Sequence, residues 1–219
     1  MRVLIYDVVT AALLLLVVRA GARLGPRGRF PVVAAVLTGL ILGGLALQAA
    51  WPGAMAALDN DPSAHGWWRP FTSVLMQNGG FVGNLWNVVT IAVVAALAEW
   101  HWGRLGATAL FLAGAVVPYA VGSVLGGTDV STDPRNWAGS SGATYLLGAT
   151  LAGALLIRAA SVRDRLLAAA APAAGLAAWF VQDNAHGLVV VYGAALGLLI
   201  TGLQHMRKPS DRPHRTASA

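Results

Sequence analysis

The sequence predicts an all-α integral membrane protein with seven membrane-spanning helices. Of its 219 residues, 57% are hydrophobic and only 11% are charged, and the mean hydropathy is +0.63. These values are far more apolar than those of a soluble domain of this length. A helix needs roughly 17–25 mostly apolar residues to cross the hydrocarbon core. Seven stretches meet this requirement, at residues 3–19, 30–50, 81–101, 105–126, 141–158, 164–181 and 185–204.

The distribution of basic residues predicts the orientation. Four arginines follow the first span: Arg19, Arg23, Arg27 and Arg29. A cleaved signal peptide carries its positive charge before the apolar run, so this span is expected to stay, with its N-terminus outside and the C-terminus of the chain inside. Of the 15 Lys and Arg residues, all but Arg2, Arg69 and Arg135 then lie inside. The net charge of +6 therefore indicates topology and attraction to anionic lipid rather than nucleic acid.

The spans divide the chain into three segments. Residues 1–29 form an N-terminal transmembrane helix with a basic inside loop, and residues 30–204 form the membrane core. Residues 205–219 are basic, polar and Pro-containing, which favours a disordered cytoplasmic tail. Cysteine is absent, which excludes disulfides, thiolate chemistry and iron–sulfur sites. No cofactor and no metal site are expected.

The connection over residues 51–80 is long, whereas several other loops are very short. Long loops in compact domains usually have a role. This one carries three tryptophans and two methionines: Trp51, Trp67, Trp68, Met55 and Met76. Such a composition is typical of a segment in the membrane interface, although composition alone favours a simple aromatic belt.

Three polar residues lie in spans that run from outside to inside. Ser141 begins the fifth span and His186 begins the seventh, while Asn87 lies about two turns into the third. At a rise of ~1.5 Å per residue, Ser141 and His186 share a shallow depth and Asn87 lies roughly 10 Å in. A serine hydroxyl becomes a good nucleophile when an adjacent imidazole takes its proton. Free N–H groups at the start of the fifth span and the Asn87 amide can then hold an oxyanion.

Each of these residues also has a structural interpretation. Ser141 suits a helix N-cap, His186 an interfacial hydrogen bond, and Asn87 a hydrogen bond between helices. Their shared depth favours the catalytic interpretation. Tyr145 lies one turn below Ser141 on the same face, where its ring can pack on the imidazole. Asp183 is expected in a short exposed loop, so the pattern predicts a dyad rather than a triad.

The pattern Gly139-x-Ser141-Gly142, followed by Tyr145, resembles the nucleophile motif of the rhomboid family of intramembrane serine proteases. Further matches follow the family's order: Trp68-Arg69 with Phe71-Thr72 for the large first loop, Asn87, Glu99 and Gly103 for the second core helix, and Ala185-His186 with Gly193 for the last helix. The resemblance covers roughly residues 31–204. It implies a six-helix rhomboid-like core with the first span as an extra N-terminal helix, and a structural role for Glu99.

The resemblance implies a serine endopeptidase that cleaves transmembrane segments of membrane proteins near their outer ends. In such an enzyme Ser141 is the nucleophile, His186 is the general base, and Asn87 with the Ser141 N–H forms the oxyanion site. Three residues support the site: Gly139, Gly142 and Tyr145. The implied partners are transmembrane substrates and the lipid bilayer, without nucleic acid. The implied location is the bacterial plasma membrane, as a multi-pass protein.

Two positions depart from the family pattern. Family members usually have a histidine four residues before the asparagine, where Gly83 stands, and often another where Gln77 stands. Losing one oxyanion donor costs about 2.7–4 kcal/mol in a soluble serine protease. Asn84 or Gln77 is a candidate substitute donor. The alternative is a proteolytically inactive rhomboid-like protein that binds transmembrane helices. A small transporter or receptor is a more distant alternative, since no two-half symmetry is visible.

Overall fold

The computed structural model describes residues 2–25, 28–124 and 138–207. Regular secondary structure in these ranges is entirely α-helical, with only turns and bends between the helices. Arg27, Arg135 and residues 208–219 of the predicted tail lie outside the described residues. The helices are α1 Arg2–Ala22, α2 Val32–Ala50, α3 Ala54–Leu58, α4 Arg69–Ser73, α5 Gly80–Val124, α6 Ser141–Arg158, α7 Val162–Gln182 and α8 Ala185–Met206.

Five of these helices, α1, α2, α5, α7 and α8, are long and apolar enough to cross a membrane. The 45 residues of α5 include a break at Gly103, whose φ of 73° is left-handed. Helix α5 thus covers both the third and the fourth predicted span. The chain is therefore compatible with a helical membrane protein, as the composition indicates. The count of seven spans and the N-out, C-in orientation stay predictions.

Helix α6 corresponds to the fifth predicted span and is not among these five. It packs against α1, α5, α7 and α8, and residues 143–155 are all buried. Thr144, Thr150 and Tyr145 lower its hydropathy, yet each hydroxyl has a hydrogen-bond acceptor inside the protein. A helix enclosed by other helices needs no fully apolar surface, because protein rather than lipid surrounds it.

Small residues bring the backbones of α6 and α8 close together. A methyl group on Gly153, Gly193 or Gly197 would overlap a carbonyl group of the opposite helix. In lipid the hydrophobic effect does not favour helix association, so close backbone packing contributes much of the stability. Gly187 likewise lets α8 pack closely on α7, because a methyl group there would overlap the Gly175 carbonyl.

The long connection after α2 contains the two short helices α3 and α4. Arg69 and Asp59 form an ion pair of 3.1 Å with both side chains largely buried. Thr72 Oγ1 donates to the Leu58 carbonyl at 2.7 Å, which fastens α4 to α3. The Trp67 side chain is 81% exposed. The segment is thus a folded structure with an exposed aromatic edge, as an interfacial loop requires.

Glu99 closes the N-terminus of α2 at the opposite end of the bundle. Its carboxylate accepts from the N–H groups of Val32 at 3.1 Å, Val33 at 2.6 Å and Ala34 at 3.4 Å. The α2 N-cap residue is a proline whose side chain forms no cap, so Glu99 replaces the usual capping residue. Its negative charge also complements the helix dipole. Glu99 thereby has a structural contact of the kind that the resemblance implies.

Replacing Glu99 by alanine is expected to lower the free energy of unfolding by about 2–3 kcal/mol, since three buried N–H groups lose a charged acceptor. Thermal unfolding in detergent measures this loss. Arg104→Gln is the matched control, because it removes only the 3.3 Å ion pair of Glu99 with a side chain that is 65% exposed. The control should cost less than about 1 kcal/mol. Equal losses in both variants would contradict the capping role.

Candidate active site

Ser141 and His186 lie side by side at one end of the bundle. Ser141 is the first residue of α6 and His186 is the second residue of α8. The distance between Ser141 Oγ and His186 Nε2 is 3.0 Å, a hydrogen bond. For Nε2 to accept the serine proton, the neutral ring must carry its own proton on Nδ1. The arrangement is that of a nucleophile beside a general base.

Asn184 fixes the first turn of α8. Its Oδ1 accepts from the backbone N–H of His186 at 3.1 Å, while its Nδ2 donates to Thr10 Oγ1 at 2.9 Å. The Asn184 side chain is fully buried. Sequence reasoning missed both residues. An asparagine directly before a helix is a familiar N-cap signal, whereas nothing in the sequence indicates that Thr10 is close to it.

Tyr145 packs against the imidazole of His186. The ring centroids are 4.8 Å apart with planes inclined by 59°. The Tyr145 hydroxyl donates to the Thr10 carbonyl at 2.6 Å, so the ring has a fixed position. The structure thus places Tyr145 where the spacing from Ser141 predicts it. Only 1% of Tyr145 is exposed.

The amide of Asn87 is held by Gln77. Asn87 Nδ2 donates to Gln77 Oε1 at 2.7 Å. Gln77 is itself held by paired bonds with Gln48, from Gln77 N to Gln48 Oε1 at 2.8 Å and from Gln48 Nε2 to the Gln77 carbonyl at 3.0 Å. Its Nε2 already donates to the Val74 carbonyl at 3.1 Å. Gln77 therefore orients Asn87 here, and one N–H of its own amide is bonded to the Val74 carbonyl.

A small space lies between Ser141 and Asn87. A methyl group on Gly139 would point into it, at 3.6 Å from Ser141 Oγ, 3.9 Å from Asn87 Nδ2 and 4.0 Å from Ser141 N. Gly139 has a φ of 144°, which other residues rarely adopt. Its N–H donates to the Ser73 carbonyl at 3.0 Å, so the folded segment between α2 and α5 holds this turn. The space is therefore bordered by two nitrogen donors, Asn87 Nδ2 and Ser141 N, of the kind that stabilise an oxyanion.

The start of α6 supplies backbone donors. Thr144 N donates to the Ser140 carbonyl at 2.9 Å, so the N–H groups of Ser141, Gly142 and Ala143 have no acceptor within the helix. Ser140 holds the N-cap position without a side-chain capping bond, and its buried Oγ has no partner among the described residues. Ser141 is therefore not the N-cap that its structural interpretation suggests. Free N–H groups and the helix dipole both favour negative charge here.

The atoms nearest to this space do not include any of Gly83 or Asn84. A methyl group on Gly83 would meet no atom within 4 Å. Asn84 Oδ1 accepts from Gly79 N at 3.1 Å, so Asn84 closes the turn before α5. The position where the family usually has a histidine is thus open space beside the turn that leads to Asn87.

No carboxylate among the described residues hydrogen-bonds to His186. Asp183 is exposed and ends α7 in a left-handed conformation with a φ of 51°. Within the same described ranges, no group of three or more His, Cys, Asp or Glu is placed to hold a metal ion. Within the described residues, the recorded hydrogen bonds of the His186 side chain go to Ser141 and Tyr6.

Gly139→Ala is expected to abolish reaction at Ser141, because its methyl group enters the space between Ser141 and Asn87. The backbone strain alone costs of order 1–3 kcal/mol. Gly25→Ala is the control for strain, since Gly25 has a φ of 132° and no neighbour within 4 Å. Labelling of Ser141 by a fluorophosphonate and thermal unfolding measure both variants. A Gly139→Ala protein that folds and labels like the wild type would contradict this account of the space.

Comparison with known proteins identifies no relative of this chain. No protein-family model matches it, and neither a curated protein nor a solved structure matches it significantly. A functional proposal therefore depends on the residues and on the geometry of the site.

Proposed function

We propose that this protein is a rhomboid-like intramembrane serine endopeptidase with a Ser141–His186 dyad. One observation carries the proposal: the 3.0 Å hydrogen bond between His186 Nε2 and Ser141 Oγ. The space beside this bond supports it, since Asn87 Nδ2 and Ser141 N border it. The order of the motifs along the chain also agrees with the family pattern. The protein then resides in a cell membrane, with transmembrane proteins as its substrates.

In the proposed reaction, Ser141 Oγ attacks the scissile carbonyl while His186 Nε2 takes its proton. The oxyanion occupies the space bordered by Ser141 N and Asn87 Nδ2, where both groups donate to it. His186 returns the proton to the leaving amine as the carbon–nitrogen bond breaks. A water molecule, deprotonated by His186, then attacks the acyl-enzyme. The proton returns to Ser141 Oγ as the product carboxylate leaves.

The helical state of the substrate limits this reaction. A peptide bond inside a helix has its carbonyl hydrogen-bonded and its backbone enclosed by side chains. The segment must unwind locally before Ser141 can reach the carbonyl, and the freed groups need water or protein partners. Gly and Pro near the scissile bond lower this cost. The expected substrates are therefore transmembrane helices with such residues near their outer ends.

Ser141→Ala and His186→Ala are each expected to abolish cleavage of a co-expressed single-span substrate, because the nucleophile or its base is gone. Ser140→Ala is the matched control. It removes an adjacent buried hydroxyl that has no hydrogen-bond partner in the described part of the chain. Gel analysis of the substrate fragments measures all three variants. Cleavage that persists in both dyad variants would refute the assignment.

A proteolytically inactive rhomboid-like protein that binds transmembrane helices is the second candidate. The observation that favours it is Gly83, which supplies no oxyanion donor and has open space beside it. Labelling of the wild type with a fluorophosphonate separates the two candidates. A protease shows a signal that disappears in Ser141→Ala, and an inactive protein shows none.

Gly83→His is expected to raise the cleavage rate, up to about 100-fold, by adding a third oxyanion donor beside Ser141 N and Asn87 Nδ2. Gly83 lies four residues before Asn87, on the same helix face, and nothing within 4 Å of its Cβ position blocks a side chain. Gly83→Ala controls for the gain in helix propensity alone, about 1 kcal/mol. The cleavage rates of the two variants are compared at equal protein concentration. Equal rates would show that a missing donor at residue 83 does not limit the reaction.

A further inference from the structure

The N-terminal helix α1 lies against the candidate active site. It packs on α5, α6, α7 and α8. Four of its residues are at most 2% exposed: Leu13, Leu14, Val17 and Ala20. At its outer end the Tyr6 hydroxyl lies 3.5 Å from His186 Nδ1. The helix that the family resemblance treats as an addition to the core thus reaches the ring nitrogen opposite Ser141.

The protonation of the imidazole determines what this contact does. Nε2 accepts the Ser141 proton only when Nδ1 carries the ring proton. In that tautomer Nδ1–H donates to the Tyr6 oxygen. If Tyr6 instead donates to Nδ1, the ring proton is on Nε2, and Nε2 cannot act as the base. The two directions of one hydrogen bond therefore have opposite effects on the rate.

We propose that Tyr6 is a positioning residue that accepts the Nδ1 proton of His186 and holds the base in its productive tautomer. The inference rests on the proposed protease function. Tyr6 then has the orienting role that a carboxylate has in a triad, with a neutral oxygen instead of a charged one. The bond also stabilises the imidazolium that forms when His186 takes the serine proton.

Thr10 supports this role, because it fastens α1 at the same height. Its carbonyl accepts from the Tyr145 hydroxyl, and its Oγ1 accepts from Asn184 Nδ2. Thr10 Oγ1 also donates to the Tyr6 carbonyl at 2.8 Å. Tyr6 and Thr10 are four residues apart and share one helix face. Both residues bound to Thr10 also contact His186: the Tyr145 ring packs on the face of the imidazole, and Asn184 accepts from the His186 backbone N–H.

The carboxylates nearest in sequence to Tyr6 and His186 do not compete for His186 Nδ1. Asp7 follows Tyr6 and Asp183 ends α7, and both are exposed. Three side chains of the described residues contact the imidazole through a hydrogen bond or a ring contact: Tyr6 from α1, and Ser141 and Tyr145 from α6. Tyr6 is the hydroxyl in this set that faces Nδ1.

Tyr6→Phe in the full-length protein tests the proposal. The variant keeps the ring and removes the acceptor, so Ser141 should react with a fluorophosphonate roughly five-fold more slowly. Without the acceptor the imidazolium is less stable and the pKa of the base falls. The acid limb of the rate–pH profile should therefore move to lower pH, while the KM for a transmembrane substrate stays unchanged. Tyr192→Phe, which removes a hydroxyl from α8 nearly two turns from His186, should change neither.

A rate that is unchanged or increased in Tyr6→Phe, with an unmoved acid limb, would overturn the proposal. Nitrogen NMR shifts of the His186 ring in the wild type give a second measurement that needs no variant. A neutral ring with its proton on Nδ1 is expected, and a proton on Nε2 would overturn the proposal. If the wild type shows no Ser141-dependent labelling, the protease function itself fails. A failure of the positioning role leaves that labelling intact.

Discussion

The close packing of α6 on α8 sets the geometry on which the candidate site depends. Ser141 begins one helix and His186 nearly begins the other, so the separation of the two backbones determines the distance between their side chains. Gly153, Gly193 and Gly197 allow that separation to be small, because any side chain there would overlap a carbonyl of the facing helix. A bulkier residue deep in the bundle would push the helices apart and lengthen the 3.0 Å bond at their ends.

The ends of the helices show how this packing becomes a site. At three helix starts, a side chain accepts hydrogen bonds from the free backbone donors. Glu99 does so for α2, Asn184 for α8 and Ser161 for α7. Helix α6 differs from these three, because its N-cap serine forms no side-chain bond and its first backbone nitrogen, Ser141 N, borders a small space. Unpaired donors in a membrane protein are costly. Their presence beside a serine–histidine pair suits a site that binds negative charge.

Much of this site could be predicted from the sequence, and the reason is periodicity. Ser141 and His186 start predicted spans on the same side, and Tyr145 follows Ser141 by one helical turn, so local rules place all three. The role of Gln77 could not be predicted, because its bond to Asn87 depends on how the long loop folds back. The spans also indicate the helical fold, but not the enclosure of α6 or the position of α1. These depend on contacts between residues far apart in the chain.

The bond between Tyr6 and His186 joins residues that are 180 positions apart. Loop closure over such a distance comes late, after the intervening helices are in place. In the predicted seven-span topology α1 enters the membrane first and α8 last, so the imidazole meets the Tyr6 hydroxyl only when the last span has been inserted. If the chain is the proposed protease, it acquires its full activity at the end of its own assembly. The growing chain, itself a series of membrane helices, would not meet a complete active site before that point.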